Sequence, residues 1–158
     1  MTPSEKAAKS TILPLIRGLV RSYQSFSEFD AAKLRPHNLT VAQADVIFTL
    51  GNTQGMTYKE IGQKTLTSKG TLTGIIERLA DKQIVKKCAN HNDGRSQIVT
   101  LTNKGNKLFQ TVFPQHIKEH EMLLFKIDEP TRKQLTSNLQ KLAEAFAQPL
   151  PKANKNTA

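Results

Sequence analysis

The chain has 158 residues, 37% of them hydrophobic, with a single cysteine and a formal net charge of +10 from 23 Lys+Arg against 13 Asp+Glu. Such a length suits one domain, alone or with helical extensions used for pairing. No apolar run approaches the roughly 18 residues a membrane span needs. The opening MTPSEKAAKS lacks the apolar stretch and cleavage site of a secretory signal. Cys88 alone excludes an intramolecular disulfide and fits a reducing compartment, so the expected location is the cytoplasm. The basic surplus favours a polyanionic partner through counterion release. It is spread evenly along the chain, however, and equally suits a generally solubilised surface, so charge alone does not mark a binding face.

Ile12, Leu15, Ile16, Leu19, Val20, Tyr23, Phe26 and Phe29 recur at steps of three and four, the period of a long amphipathic helix. Pro14 fits only its first turn or a kink, and Arg35-Pro36-His37-Asn38 ends it. Thr40-Val41-Ala42-Gln43 is a capping box opening a second helix that buries Val46, Ile47 and Leu50, and Gly51 and Gly55 close it in a turn. Thr57-Tyr58-Lys59-Glu60 is a second capping box, predicting a short helix with Ile61 and Leu66 inward. Thr67-Ser68 caps the next helix, where Leu72, Ile75, Ile76 and Leu79 share one face.

Two short strands, Ile84 to Ala89 and Gln97 to Leu101, flank the turn residues Asn90-His91-Asn92-Asp93-Gly94. Thr102 caps a long helix with Leu108, Phe109, Val112, Phe113, Leu123 and Leu124 apolar and Pro114 at an expected kink. Asp128-Glu129-Pro130 opens a last helix with Leu135, Leu139, Leu142 and Phe146 at near-heptad spacing. The predicted fold is mainly α with a small β-hairpin wing: a winged helix-turn-helix with long N- and C-terminal dimerisation helices. The expected divisions are an N-terminal dimerisation helix over 1–38, a DNA-binding lobe over 39–101, C-terminal dimerisation helices over 102–148 and a disordered tail over 149–158.

Opposite the apolar face of the helix from Ser68 stand Ser68, Lys69, Thr71, Thr73 and Arg78, with Gly70 leaving room for close approach. Lys69 can donate to guanine, the two threonines can reach base edges or a thymine methyl, and the helix N-terminus suits a phosphate. A solvated surface face would carry the same residue types. The hairpin adds Arg95 just beyond the tight turn, with Asp93 placed to hold its guanidinium extended. An arginine so presented suits a narrow minor groove, although a surface ion pair is the plainer reading of the two residues alone. Helix pair and hairpin together point to double-stranded DNA as the partner.

Leu39 to Gly105 resembles the MarR family of bacterial winged-helix repressors. The resemblance is carried by LTVAQADVIFTL, GTLTGIIERLADKQIV, HNDGRSQIVTL and LTNKG, most specifically by Asp93 and Arg95 and by the Leu101, Thr102, Gly105 pattern. Ile84, after Lys82-Gln83, departs from it, standing where the family often has glycine. The resemblance implies that Arg95 enters the minor groove with Asp93 as its partner, and that Ser68 to Thr73 read the major groove. It implies a homodimer joined through both termini. The apolar seam of Leu135, Leu139, Leu142 and Phe146, more than a small lobe can cover, points the same way. A two-fold dimer would read an imperfect palindrome.

The resemblance further implies a repressor released by a small aromatic acid or phenol, for which Arg17, Arg21 and His37 are the candidate cations. No cofactor and no catalytic residue is expected. His116-Ile117-Lys118-Glu119-His120 puts two imidazoles at helical i, i+4 spacing, a pair that can chelate zinc. A metal-responsive repressor completed by Asp45 or Glu28, or a small zinc hydrolase using Glu119, are the alternatives this permits. Two histidines on a polar helix are more often simply solvated. Cys88, beside Lys86 and Lys87, is the candidate redox residue, but peroxide sensors of the family carry their cysteine in the first helix. An architectural protein coating DNA without sequence preference is the remaining class.

Overall fold

A computed structural model describes residues 2–90 and 96–148. The order of elements is α1 (Pro3–Ala8), α2 (Ile12–Leu34), a 3-10 turn (Arg35–His37), α3 (Val41–Leu50), β1 (Met56–Thr57), α4 (Tyr58–Thr65), α5 (Lys69–Asp81), β2 (Val85–Ala89), β3 (Gln97–Leu101), α6 (Asn103–Leu124) and α7 (Glu129–Ala147). The chain forms two compact units, Met1–Pro114 and Gln115–Ala158. The tail over 149–158 lies outside the described residues.

The helix starts are written in local cap chemistry. Thr40 accepts from the Gln43 amide at 3.2 Å while the Gln43 side chain accepts from the Thr40 amide at 3.2 Å. Thr57 and Glu60 close the same reciprocal pair before α4. Their hydrogen bonds, from the Thr57 backbone first and then its hydroxyl, hold the Glu60 carboxyl below its ordinary pKa. Asp128 caps α7 by accepting from the Thr131 amide at 3.0 Å. Short α1 is a further case, with the Thr2–Glu5 capping box and Pro3 in its first turn.

The first unit is built on a dry core. Val46, Ile47 and Leu50 of α3, Ile61 of α4, and Leu72, Ile76 and Leu79 of α5 meet Val85, Val99 and Leu101 of the sheet and Phe109 and Val112 of α6. Burial of this kind stabilises by about 25 cal/mol per Å² of apolar surface removed from water, so packing rather than helix propensity holds the short helices in place. In the second unit α7 has no buried residue.

The sheet has three strands in the order β1-β3-β2, both pairings antiparallel. Val85 faces Leu101 and Ala89 faces Gln97 across the hairpin, while Met56 pairs with Val99. Gly55 admits β1 to this edge. Its φ is +104°, and a Cβ there would drive into the side chains of Thr100 and Ile98.

Two sequence expectations need correction. Leu66 does not point inward: it is 92% exposed, because α4 ends at Thr65 and Leu66 takes a left-handed cap with φ 53°, its amide returning to the Gly62 carbonyl. The glycine-favouring position before the wing is Gln83, not Ile84. Gln83 has φ 58°, and the Ile84 amide donates back to the Leu79 carbonyl at 2.9 Å, closing α5 and burying Ile84 in the core. Pro14 sits in the first turn of α2 as a proline must, and Pro114 lies inside α6.

Candidate nucleic-acid interface

Helices α4 and α5 form the helix-turn-helix, and α5 presents its polar side outward. Ser68 is the N-cap of α5. Its hydroxyl pairs with the Thr71 hydroxyl at 3.0 Å and only weakly with the Thr71 amide, at 3.5 Å. That leaves the first amides of α5 open to an anionic oxygen. Lys69, Gly70, Thr71, Thr73 and Arg78 are all exposed. Around Gly70 an added Cβ would meet nothing within 4 Å, and the same holds one turn on at Gly74, which the sequence reading did not single out. Thr73 commits its hydroxyl proton to the Lys69 carbonyl at 2.9 Å, leaving an oxygen lone pair and a methyl for a base edge.

The wing is tied to this helix by charge. Lys87 of β2 donates to Glu77 of α5 at 2.7 Å, and that hydrogen bond raises the Lys87 pKa. Tyr58, at the start of α4, belongs to the same cluster. Burial pushes its phenol up, with Lys87 opposing and Glu77 adding to the shift. At the far end of the hairpin the Asn90 amide donates to the Ser96 carbonyl at 3.2 Å and the Asn90 side chain to the Ser96 hydroxyl at 2.8 Å. Asp93 and Arg95 lie between them, outside the described residues.

Between the start of α4, the start of α5 and the base of the wing lies a cavity of about 1080 Å³, lined by Thr57, Tyr58, Lys59, Gln63, Lys69 and Gln97 among others. Among the described residues two lysines and no carboxylate line it. Periodicity could place Lys69 there. Tyr58, Lys59 and Gln97 reach it only through the tertiary fold, so no local signal marked them.

Arg17 and Arg21 are exposed, one turn apart on α2, and His37 sits in the 3-10 turn beyond its end. At 1.5 Å per residue, Arg21 and His37 are separated by roughly 24 Å along the chain axis. One small ligand therefore cannot touch both within one chain. His116 and His120 share a face of α6, their rings 4.4 Å apart and edge-on, with His120 Nδ1 2.8 Å from the His116 carbonyl oxygen. Glu28 is exposed on α2, and Asp45 on α3 has its pKa raised by desolvation. Cys88 is exposed on β2, opposite Ile98.

A short helix pair whose second helix shows an open polar N-terminal face, followed by a charge-anchored hairpin, defines a winged helix-turn-helix DNA-binding protein. The MarR family model matches residues 39–97, the segment holding the helix pair and the hairpin. Over that segment the chain matches the MarR family, a family of DNA-binding transcriptional regulators. The HTH-type transcriptional regulator MhqR of Bacillus subtilis is 24% identical over 139 residues, covering 88% of this chain and 92% of that protein. The fold is that of the S. aureus MepR–DNA complex, with a TM-score of 0.74 at 19% identity over 87% of this chain and 99% of that one. It is also that of Bordetella bronchiseptica BpsR, whose DNA binding is regulated by 6-hydroxynicotinic acid, with a TM-score of 0.73 at 22% identity over 82% and 98%. Among the described residues no helix is long and apolar enough to cross a membrane.

Proposed function

We propose that this protein is a homodimeric repressor that reads a palindromic operator and is released from it by a small aromatic acid. The observation that carries the sequence-specific part is the open face of α5, where Lys69, Gly70, Thr71 and Thr73 stand unobstructed beside a trough lined by lysines. The helix N-terminus and Lys69 meet the major groove, and the sugar–phosphate strand runs along the trough. Arg95 of the wing takes the minor groove beyond.

Dimerisation is supported by apolar side chains that the single chain leaves uncovered. Tyr23 of α2 and Phe146 of α7 are each 68% exposed, and Ile12, Leu15, Val20, Leu135 and Leu139 accompany them. Exposed apolar surface of this extent marks each helix, taken by itself, for interaction. A two-fold pair would set two reading helices about 34 Å apart, one turn of duplex. The effector class is supported by the likeness to BpsR. Its carboxylate would engage the Arg17–Arg21 pair or His37.

Alanine variants separate the roles of the contacts. Lys69→Ala and Thr71→Ala are expected to lower affinity for the operator by about tenfold while barely changing affinity for random duplex, since a base contact is worth about 1–3 kcal/mol of discrimination. Arg95→Ala is expected to cost most on operators with narrow A·T-rich minor grooves. Competition binding against a small library of duplexes reads both. A uniform loss across all sequences would reduce Lys69 and Thr71 to backbone contacts, and an unaffected Arg95→Ala would remove the wing from the interface.

A further inference from the structure

A second cavity, of about 440 Å³, opens where the C-terminal end of α5 meets the 3-10 turn and the start of α3, and among the described residues none of the wing lines it. Its charged groups are Arg35, Arg78 and Lys82, against one carboxylate, Asp81. The pocket is braced from within. Asn38, turned into the left-handed region at φ 55°, offers its carbonyl to Lys82 Nζ at 2.9 Å. Gln43 is 5% exposed, and its side-chain oxygen lies 3.4 Å from the same ammonium while accepting the Thr40 amide.

These contacts hold Lys82 without neutralising it. Among the described residues neither Arg35 nor Arg78 has a hydrogen-bond or ion-pair partner for its guanidinium, and Asp81 pairs with none of the three cations. The amides of Val41 and Ala42, the first of α3, have no acceptor within the helix and add the positive end of its dipole. Three cations sharing the pocket with one carboxylate leave it net positive, and an oxyanion among them offsets their repulsion. Guanidinium forks match the paired oxygens of a phosphate in particular.

We propose that this pocket is a phosphate seat, with Arg35 and Lys82 as its principal donors and Arg78 on its rim. The inference rests on α5 being the helix that enters DNA. A helix in the major groove runs between two phosphate strands; the trough at the N-terminal end of α5 meets one, and this pocket, at its C-terminal end, is placed for the other. The same chemistry would accept a free phosphate, and the two sources are separable.

Arg35→Gln removes the charge but keeps the turn, since only the Arg35 backbone is used structurally, its amide donating to the Ala31 carbonyl and its carbonyl accepting the Asn38 amide at 2.9 Å. Binding is followed by anisotropy across a salt series on DNA from upstream of the gene and on a scrambled duplex, with Lys107→Gln on α6 as a charge-matched control. The variant is expected to bind both duplexes about tenfold more weakly, and its log K against log [salt] slope to flatten by about one per seat lost, with the control closer to wild type. In parallel, inorganic phosphate is titrated at constant ionic strength while the Gln43 side-chain amide is followed by NMR. A saturable shift absent from Arg35→Gln, with unchanged DNA slopes, would assign the seat to a free phosphate. Unchanged slopes with no shift, or equal flattening in the control, would overturn the seat. If the wild type bound neither duplex, the DNA-binding role of α5 would fail, and the phosphate titration would decide the seat by itself.

Discussion

Ile76→Ala is expected to destabilise the protein by about 4 kcal/mol, within the 2–5 kcal/mol range for truncating a fully buried isoleucine. Ile76 is 0% exposed and stands in the core with Leu72 and Leu79 of its own helix, Ile47 of α3 and Val99 of β3. Removing three carbons from a site enclosed by helices and sheet leaves a cavity that rigid neighbours cannot close. For a chain of this size the melting temperature should fall by roughly 8–16 °C, measured at fixed protein concentration so that self-association does not enter the comparison. Ile76→Val should lose only about 1 kcal/mol. A loss under about 1 kcal/mol for the alanine variant would mean that α5 is not anchored by this core, and its outward face would then be poorly fixed for reading bases.

Gly105→Ala is expected to lose about 3 kcal/mol, the upper end of what overpacking costs, through a clash with backbone rather than with a side chain that could move. A Cβ at Gly105 would fall well inside contact distance of the Ile84 carbonyl oxygen. The same carbonyl accepts the Thr102 amide at 3.0 Å, and Thr102 donates its hydroxyl to the Gln83 carbonyl at 2.7 Å while accepting the Gly105 amide at 3.0 Å. The start of α6 is thus bolted onto the turn between α5 and β2, and an alanine would pry it off. The Leu101, Thr102, Gly105 pattern is therefore explained by a close approach of two backbones. A drop in melting temperature of roughly 6–12 °C is the expected readout. An unchanged melting temperature would show that α6 can shift away from Ile84 at no cost.

Legibility in the sequence followed the range of the interactions. The Thr40–Gln43 and Thr57–Glu60 boxes, the Ser68 cap and the Leu72, Ile75, Ile76, Leu79 face are all set within one or two helical turns, so residue spacing announced them. The hairpin could be read because its strands are separated by turn residues. Strand β1 could not, being two residues that become a strand only by pairing with β3 some forty positions away. Leu66 and Gln83 misled for a related reason. Each occupies a left-handed position that glycine usually marks, so composition hid the turn. The Glu77–Lys87 tie and the residues lining both cavities come from different elements and had no pattern to reveal them. The outward residues of α5 were legible as a face, and their freedom from intramolecular packing was added by the fold.

Fluorescence anisotropy of the wild-type protein, on DNA from upstream of its own gene against a scrambled duplex at about 0.15 M salt, tests the sequence-specific repressor most directly. Selective binding is predicted, saturating at two protomers per duplex and reversed by an aromatic carboxylate. Equal affinity for both duplexes, with the same steep salt dependence on each, would contradict it and describe a protein that coats DNA without reading it.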